Sequence, residues 1–266
     1  EPSCKFKSAL YVPQAGVVDY KVVSEMIAKK FLSLGGTIKY FQKIKTINTE
    51  NNLKVLTSDR ETFKSEFLIN CAGLFSDTVA ELDNIKPDLR IIPFRGEYYV
   101  LSQEKAHLVN NMIYPISDPN LPFLGIHLTK TVDGQIEAGP NAVLAFAKEG
   151  YKWSNINISE FMKTISYKGM WKLGKQYLGT GVSEMYRSLN KRVFLKEILN
   201  YIPDVRLSDL KPRVAGVRAQ AVSSNGDLID DFVFEDGNNS LHVLNAPSPA
   251  ATASLAIGEY IAAKVS

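Results

Sequence analysis

Between residues 19 and 34 the apolar positions recur at helical spacing, with Val22, Val23, Met26, Ile27, Phe31 and Leu34 on one stripe. Asp19 suits the cap of that helix and Gly35-Gly36 its stop, since glycine takes the left-handed cap conformation cheaply. The pattern then turns strand-like over 37–47 and 53–57, with Asn51-Asn52 as the turn between them. Residues 67–71 (FLINC) form a short, largely apolar run, the pattern of a strand buried on both faces. Ala72-Gly73 ends it, and Ser76-Asp77 opens a helix through Leu82. Strand, glycine turn and helix in that order predict a ligand-facing crossover, because ligands in open α/β sheets collect beyond the carboxyl ends of strands.

The middle of the chain changes character. Residues 91–101 (IIPFRGEYYVL) and 112–116 read as strands, and 123–140 as a hairpin around Asp133-Gly134. Residues 159–200 turn helical, with Ser159-Glu160 and Ser183-Glu184 as starts. Strand character returns at 214–222 and 241–245, with Asn225-Gly226 as a turn, and an Ala-rich helix over 250–265 follows a Pro-rich approach. The pattern is α/β or α+β, with the outer segments in one unit and the middle in another.

Composition narrows the function classes. The 266 residues carry 31 Lys+Arg against 28 Asp+Glu, a net charge of +3, and no dense basic block, which gives little support to nucleic-acid binding. With 45% hydrophobic and 22% charged residues the chain is a folded globular one. Its longest clean apolar run is 142–147, far short of the roughly 20 residues a membrane span needs. No secretory signal opens the chain, which starts Glu-Pro-Ser-Cys. Two cysteines and three histidines, without C-x-x-C or H-x-x-x-H spacing, argue against structural zinc but leave a carboxylate metal site open.

G-x-x-x-x-G-K-[ST], G-x-S-x-G, H-E-x-x-H and a front G-x-G-x-x-G are all absent from the sequence. Four features carry chemistry. Arg95, beside Gly96, Tyr98 and Tyr99, suits a carboxylate, which guanidinium binds bidentately; an ordinary Arg–Glu pair with Glu97 is the blander reading. His127 shares a strand face with Gly125 and Thr129 and suits a general base, against the commoner hydrogen-bonded structural histidine. Arg218 lies in an apolar strand with few nearby acids, so it needs an anion, either a substrate carboxylate or a distant Asp or Glu. Asn245, Ala246, Pro247, Ser248, Pro249, Ala250 and Ala251 make a small-residue turn into a helix, suited to an anion or a reduced flavin ring, or simply to capping.

These segments resemble the L-2-hydroxyglutarate dehydrogenase/oxidase family, among the glycine-oxidase-like, D-amino-acid-oxidase-type flavoproteins. The resemblance rests on NCAGLFSD (70–77), PFRGEYYVL (93–101), the long stretch 114–151, AGVRAQAV (215–222), DLIDDFVFE (227–235) and LHVLNAPSPAATASLAIGEYI (241–261). It implies an FAD-dependent oxidation of L-2-hydroxyglutarate to 2-oxoglutarate, with electrons passing to a membrane quinone or to oxygen. It implies a split FAD-binding domain from 1–90 and 211–266 and a mixed β-sheet substrate domain over 91–210. Arg95 and Arg218, with Tyr98 or Tyr99, would hold the two substrate carboxylates, and His127 would be the base. Cys71, Ala72 and Gly73 would line FAD, and Asn245–Ala251 would face the flavin's pyrimidine edge.

The family's opening G-x-G-x-x-G and a second front motif are not in this sequence, so the resemblance implies a fragment or half of a split enzyme that holds FAD only in part. A separate front half, or another copy of the chain, is the implied partner. The implied location is the cytoplasm, peripheral at the inner membrane, or mitochondria in eukaryotes. Two other readings stay open: an inactive remnant serving as a binding module, and a sibling flavoenzyme acting on amino acids or glycerol 3-phosphate.

Overall fold

A computed structural model describes residues 1–116 and 125–265. In chain order these form α1 (Tyr20–Ser33), β1 (Ile44–Glu50), β2 (Leu53–Ser58), β3 (Thr62–Ser65), β4 (Leu68–Asn70), α2 (Ser76–Leu82), β5 (Leu89–Gly96) and β6 (Tyr99–Leu101). Then come β7 (Met112–Ile113), β8 (His127–Lys130), β9 (Ile136–Gly139), β10 (Val143–Leu144), α3 (Ile158–Ile165), α4 (Lys168–Gln176), α5 (Leu178–Leu189) and α6 (Lys191–Ile198). β11 (Leu210–Pro212), β12 (Gly216–Ser223), β13 (Val233–Gly237), β14 (Ser240–Asn245) and α7 (Ser254–Val265) complete the order. Among the described residues no helix is long and apolar enough to cross a membrane.

The chain divides into two units, residues 1–19, 93–158 and 174–218 in the first, and 20–92, 159–173 and 219–266 in the second. It passes between them inside β5 and inside β12, as well as after residues 19, 158 and 173. Two segments fall on the other side from the sequence expectation. Residues 1–19 join the middle unit, because Glu1 accepts the backbone N–H groups of Asn110 and Asn111 at 3.0 and 2.7 Å and Lys5 N donates to the Tyr201 carbonyl. Residues 159–173 join the outer unit, where Tyr167 donates to the Val222 carbonyl at 3.2 Å and Arg90 to the Lys163 carbonyl at 2.9 Å.

In the first unit, strand alternation separates an apolar face from a polar one. The sheet runs β11-β6-β9-β8-β7. Leu101, Leu128, Ile136 and Ala138 pack on one side with Phe194 and Ile198 of α6 and with Ile202. The β8–β9 hairpin pairs His127 with Gly139 and Lys130 with Ile136, and Gly134 turns at φ 81°. Phe123 and Leu124 of the expected hairpin lie outside the described residues. The run 91–101 is two strands, broken at Glu97-Tyr98.

In the second unit, β4 lies parallel to β14, with Leu68 opposite Ser240 and Asn70 opposite His242, and β13 flanks β14 on its other side. Ala80, Leu89, Ile91, Ala221 and Leu244 form a core. Asp77 ties α2 to β5 by accepting the Ile91 N–H at 3.0 Å. The separate meander β1-β2-β3 turns at Asn51-Asn52, both at positive φ, as asparagine tolerates.

Several expectations are corrected. Strand structure begins at Ile44, not 37. FLINC is not buried on both faces: β4 is the edge of its sheet, and Phe67 and Ile69 stay about 40% exposed. The α1 stripe forms as expected, yet α1 has no buried residue. Ser183-Glu184 lies inside α5 rather than at a start. The next helix starts instead from Asn190, whose side chain accepts the Arg192 N–H. The last helix begins at Ser254, because residues 247–254 close successive turns first.

Candidate active site

The polar face of the first unit gathers Tyr98, His127 and Arg218, three of the residues singled out as substrate-binding. His127 opens β8 opposite Gly139. A Cβ on Gly139 would sit 2.9 Å from the Tyr98 ring and 2.8 Å from the Glu97 carbonyl, and its φ of 148° is a conformation side chains rarely adopt. Glycine there lets Tyr98 lie against the strand that pairs with His127. Arg218 donates a hydrogen bond to the Tyr98 hydroxyl and its charge also acts on His127. The ring of Tyr114 stacks on His127, centroids 4.5 Å apart and planes 26° apart. Glu137 pairs with Arg213 at 2.7 Å and adds negative potential at Tyr98.

The electrostatics fix the protonation states. Burial pushes the His127 pKa below its ordinary value and the Arg218 charge adds to this, while the Gly125 carbonyl pulls the other way. The imidazole is therefore neutral near pH 7. Its Nδ1 lies 3.3 Å from the Gly125 oxygen, a contact that needs the proton on Nδ1. That leaves Nε2 as an acceptor, the form a general base requires. Burial raises the Tyr98 pKa, opposed by Arg218, so the phenol keeps its proton and can donate it. A guanidinium, a phenol donor and a neutral imidazole make a site able to hold a carboxylate and take up a proton.

The other sequence candidates in this unit are placed elsewhere. Tyr99 turns to the core side, its ring edge-on to Phe194 at 4.7 Å. Arg95 is 1% exposed, lies 4.0 Å over the Trp153 ring, and donates through Nε to Glu97 at 3.3 Å. The same Glu97 carboxylate accepts from Asn141 at 2.9 Å and from Ser188. An Arg–Glu pair is present, but not the solvated one of the blander reading: Arg95 is buried and Glu97 half-buried. Tyr114, Glu137 and Gly139 were not marked by any local pattern, except that Gly139 ends a strand before a proline.

The second unit carries the residues expected to face a cofactor. Cys71 and Ala72 follow the carboxyl end of β4 and are exposed. Gly73 sits at φ 54° and a Cβ there would meet nothing within 4 Å. Residues 246–251 leave the carboxyl end of the parallel neighbour β14, with Ala246, Ser248, Pro249 and Ala251 exposed. Asn245 itself is buried, its amide donating to the carbonyls of Ile229 and Asp231 at 3.1 and 2.8 Å, so it ties the end of β14 to residues 229–231. The amides of Ala250, Thr252, Ala253 and Ser254 bond to carbonyls three residues back, so what this loop offers is small exposed faces. Open, small-residue turns at the carboxyl ends of two parallel strands fit the edge of a flat cofactor. Among the described residues no cluster of His, Cys, Asp and Glu is arranged to hold a metal.

Residues 1–264 match the family described as DAO, FAD dependent oxidoreductase. The chain belongs to this family of FAD-dependent oxidoreductases. Within the DAO family it is similar to an L-2-hydroxyglutarate dehydrogenase of Indibacter alkaliphilus, 49% identical over 259 residues, 97% of this chain and 65% of that protein. It is 41% identical to the Escherichia coli K12 L-2-hydroxyglutarate dehydrogenase over 100% of this chain and 63% of that protein. The human mitochondrial L-2-hydroxyglutarate dehydrogenase is 39% identical over 100% of this chain and 61% of its own length. The chain thus spans just under two thirds of these curated relatives. In fold it is similar to an FAD-bound L-α-glycerophosphate oxidase of Mycoplasma pneumoniae, with a TM-score of 0.63 at 19% identity, covering 88% of this chain and 52% of that one. A glycine oxidase of Geobacillus kaustophilus gives 0.56 at 11% identity over 90% and 52%. These two likenesses establish the DAO fold, a mixture of helices and sheets.

The Gly139→Ala variant is expected to keep its fold but lose most of the Tyr98 geometry, since the added methyl meets ring and backbone together. The cost is about 1–3 kcal/mol of overpacking and backbone strain. A crystal structure of the variant with Tyr98 and the backbone at position 139 unmoved would exclude this.

Proposed function

We propose that this chain, with the portion of its relatives' length that it does not span, oxidises L-2-hydroxyglutarate to 2-oxoglutarate. The observation that carries the reading is the 39–49% identity to L-2-hydroxyglutarate dehydrogenases along a chain that contains the Tyr98, His127 and Arg218 cluster. FAD, when bound, supplies the two-electron acceptor. Cys71–Gly73 and residues 246–251 are the parts of this chain that would hold it. Arg218 and the Tyr98 hydroxyl bind one substrate carboxylate, by the bidentate fit of guanidinium. His127 Nε2 would take the hydroxyl proton, while the hydride of the same alcohol is the two-electron equivalent that FAD, when bound, would accept, so that two electrons and two protons leave the substrate. Arg95 hydrogen-bonds Glu97 through Nε while its buried Nη1 has no hydrogen-bond partner among the described residues, so in this reading Arg95 is proposed for the second carboxylate.

The remaining third is the proposed partner, whether joined in one polypeptide or supplied as a separate chain. The acceptor beyond the flavin is proposed to be a quinone or oxygen. The compartment follows the relatives, of which the human and Caenorhabditis elegans proteins are named mitochondrial.

The test is a visible spectrum of the purified chain, alone and co-expressed with the complementary third, after FAD is added and excess removed. A retained flavin band that bleaches anaerobically with L-2-hydroxyglutarate is expected. A retained flavin that this substrate leaves oxidised would overturn the reading. The pH dependence tests the base. Activity in kcat/KM should rise as pH climbs through a value below the ordinary histidine pKa of about 6.5. His127→Gln should abolish that acid limb; an unchanged profile would remove His127 from the role.

A further inference from the structure

The second unit buries a line of polar side chains that the substrate chemistry does not use. Lys54 of β2, Asp83 after α2, His242 of β14 and Asn70 at the end of β4 are each at most 8% exposed. Lys54 pairs with Asp83 Oδ1, and Asp83 Oδ2 accepts from Ser240 at 2.5 Å. His242 Nε2 lies 3.1 Å from Asp83 Oδ2, and its Nδ1 lies 3.0 Å from Asn70 Nδ2. Asn70 Nδ2 also donates to the Ser76 carbonyl at 2.8 Å, and Asn70 Oδ1 accepts the Ala72 N–H at 3.1 Å.

We propose that this buried Lys54–Asp83–His242–Asn70 line is a positioning device for the Cys71–Gly73 turn, the turn assigned above to FAD; its purpose rests on that reading, its geometry does not. Only one proton arrangement satisfies every link. Asn70 spends both amide hydrogens on Ser76 and His242, so Nδ1 of His242 carries no proton. The ring proton then sits on Nε2 and points at the Asp83 carboxylate, whose charge Lys54 balances. With its nitrogen fixed, Asn70 can present only oxygen to Ala72. Turning the amide over would set NH₂ against the Ala72 N–H and oxygen against both the Ser76 carbonyl and Nδ1. A buried ion pair rarely exceeds apolar packing in stability. What this one adds is a single orientation for an amide at a strand end, and hence one shape for the turn.

The test uses the full chain. Nitrogen-15 NMR of wild-type His242 should show the neutral ring protonated on Nε2; a proton on Nδ1 would overturn the proposal without any variant. His242→Leu should speed amide exchange at Ala72 about tenfold or more, and weaken FAD retention by a similar factor, while Leu128 in the other unit is unaffected. His242→Gln, which keeps a donor toward Asp83 and an acceptor toward Asn70, should restore much of both. A folded Leu variant with unchanged Ala72 exchange would sink the idea. If Ala72 responds but FAD retention does not, the turn is positioned as argued and its assignment to FAD fails. If the wild type retains no FAD, the exchange result still decides the positioning.

Discussion

Arg218→Ala is expected to lower kcat/KM for L-2-hydroxyglutarate by about a hundredfold. Losing a hydrogen bond between charged groups costs roughly 1.5–3 kcal/mol, and each 1.4 kcal/mol is tenfold in rate. Two further signatures separate this from general damage. Arg218 opposes the effect of burial on Tyr98, so without it the Tyr98 pKa should climb further. Arg218 also helps depress the His127 pKa, so the acid limb of the pH profile should move up toward the ordinary histidine value. Arg218→Lys should recover charge but not the two-pronged contact, and so only part of the rate. Full activity in the alanine variant would remove Arg218 from carboxylate binding.

Asp83→Ala should destabilise the second unit by about 3–5 kcal/mol, because it strands the buried Lys54 ammonium. At about 2–4 °C per kcal/mol for a domain of this size, the melting temperature falls by about 10 °C. Adding Lys54→Met to the variant should return much of the loss, and a double-mutant cycle measures the coupling. The pH sign follows from Asp83. Burial alone would raise its pKa, but hydrogen bonds from Lys54, Ser240 and His242 and the Lys54 charge outweigh that and leave it lowered. Its contribution is therefore present above the unfolded carboxylate value, about 3.9, and fades as pH falls through the lower folded value. Melting curves from pH 7 to pH 3 should show the gap between wild type and Asp83→Ala closing only at the acid end. Equal melting temperatures at neutral pH would show that Lys54 finds another partner.

The sequence carries the fold further than it carries the site. Periodicity places α1, α2, β14 and the β8–β9 hairpin within a few residues, since each depends on local spacing. Alternation cannot choose between Tyr98 and Tyr99, because the strand breaks at Glu97-Tyr98 and the face is set by pairing with Ala138. Strand context and the resemblance together mark Arg218 and His127, while Tyr114 and Gly139 enter only through the folded sheet. Lys54 reads locally as an ordinary polar position in a strand. Its burial depends on Asp83, 29 residues on, and through Asp83 on His242, a further 159 residues away. No local window holds such a pair.

The pairing of β4 with β14 also has a consequence for synthesis. Asn70 and His242 are 172 residues apart in the chain. At about 5–20 residues per second, a ribosome delivers the second strand on the order of ten to thirty seconds after the first. Throughout that interval β4 has neither its parallel neighbour nor the imidazole that orients its last side chain. A nascent chain stalled before residue 240 should therefore be a strong chaperone client, and release should coincide with emergence of β14 from the exit tunnel.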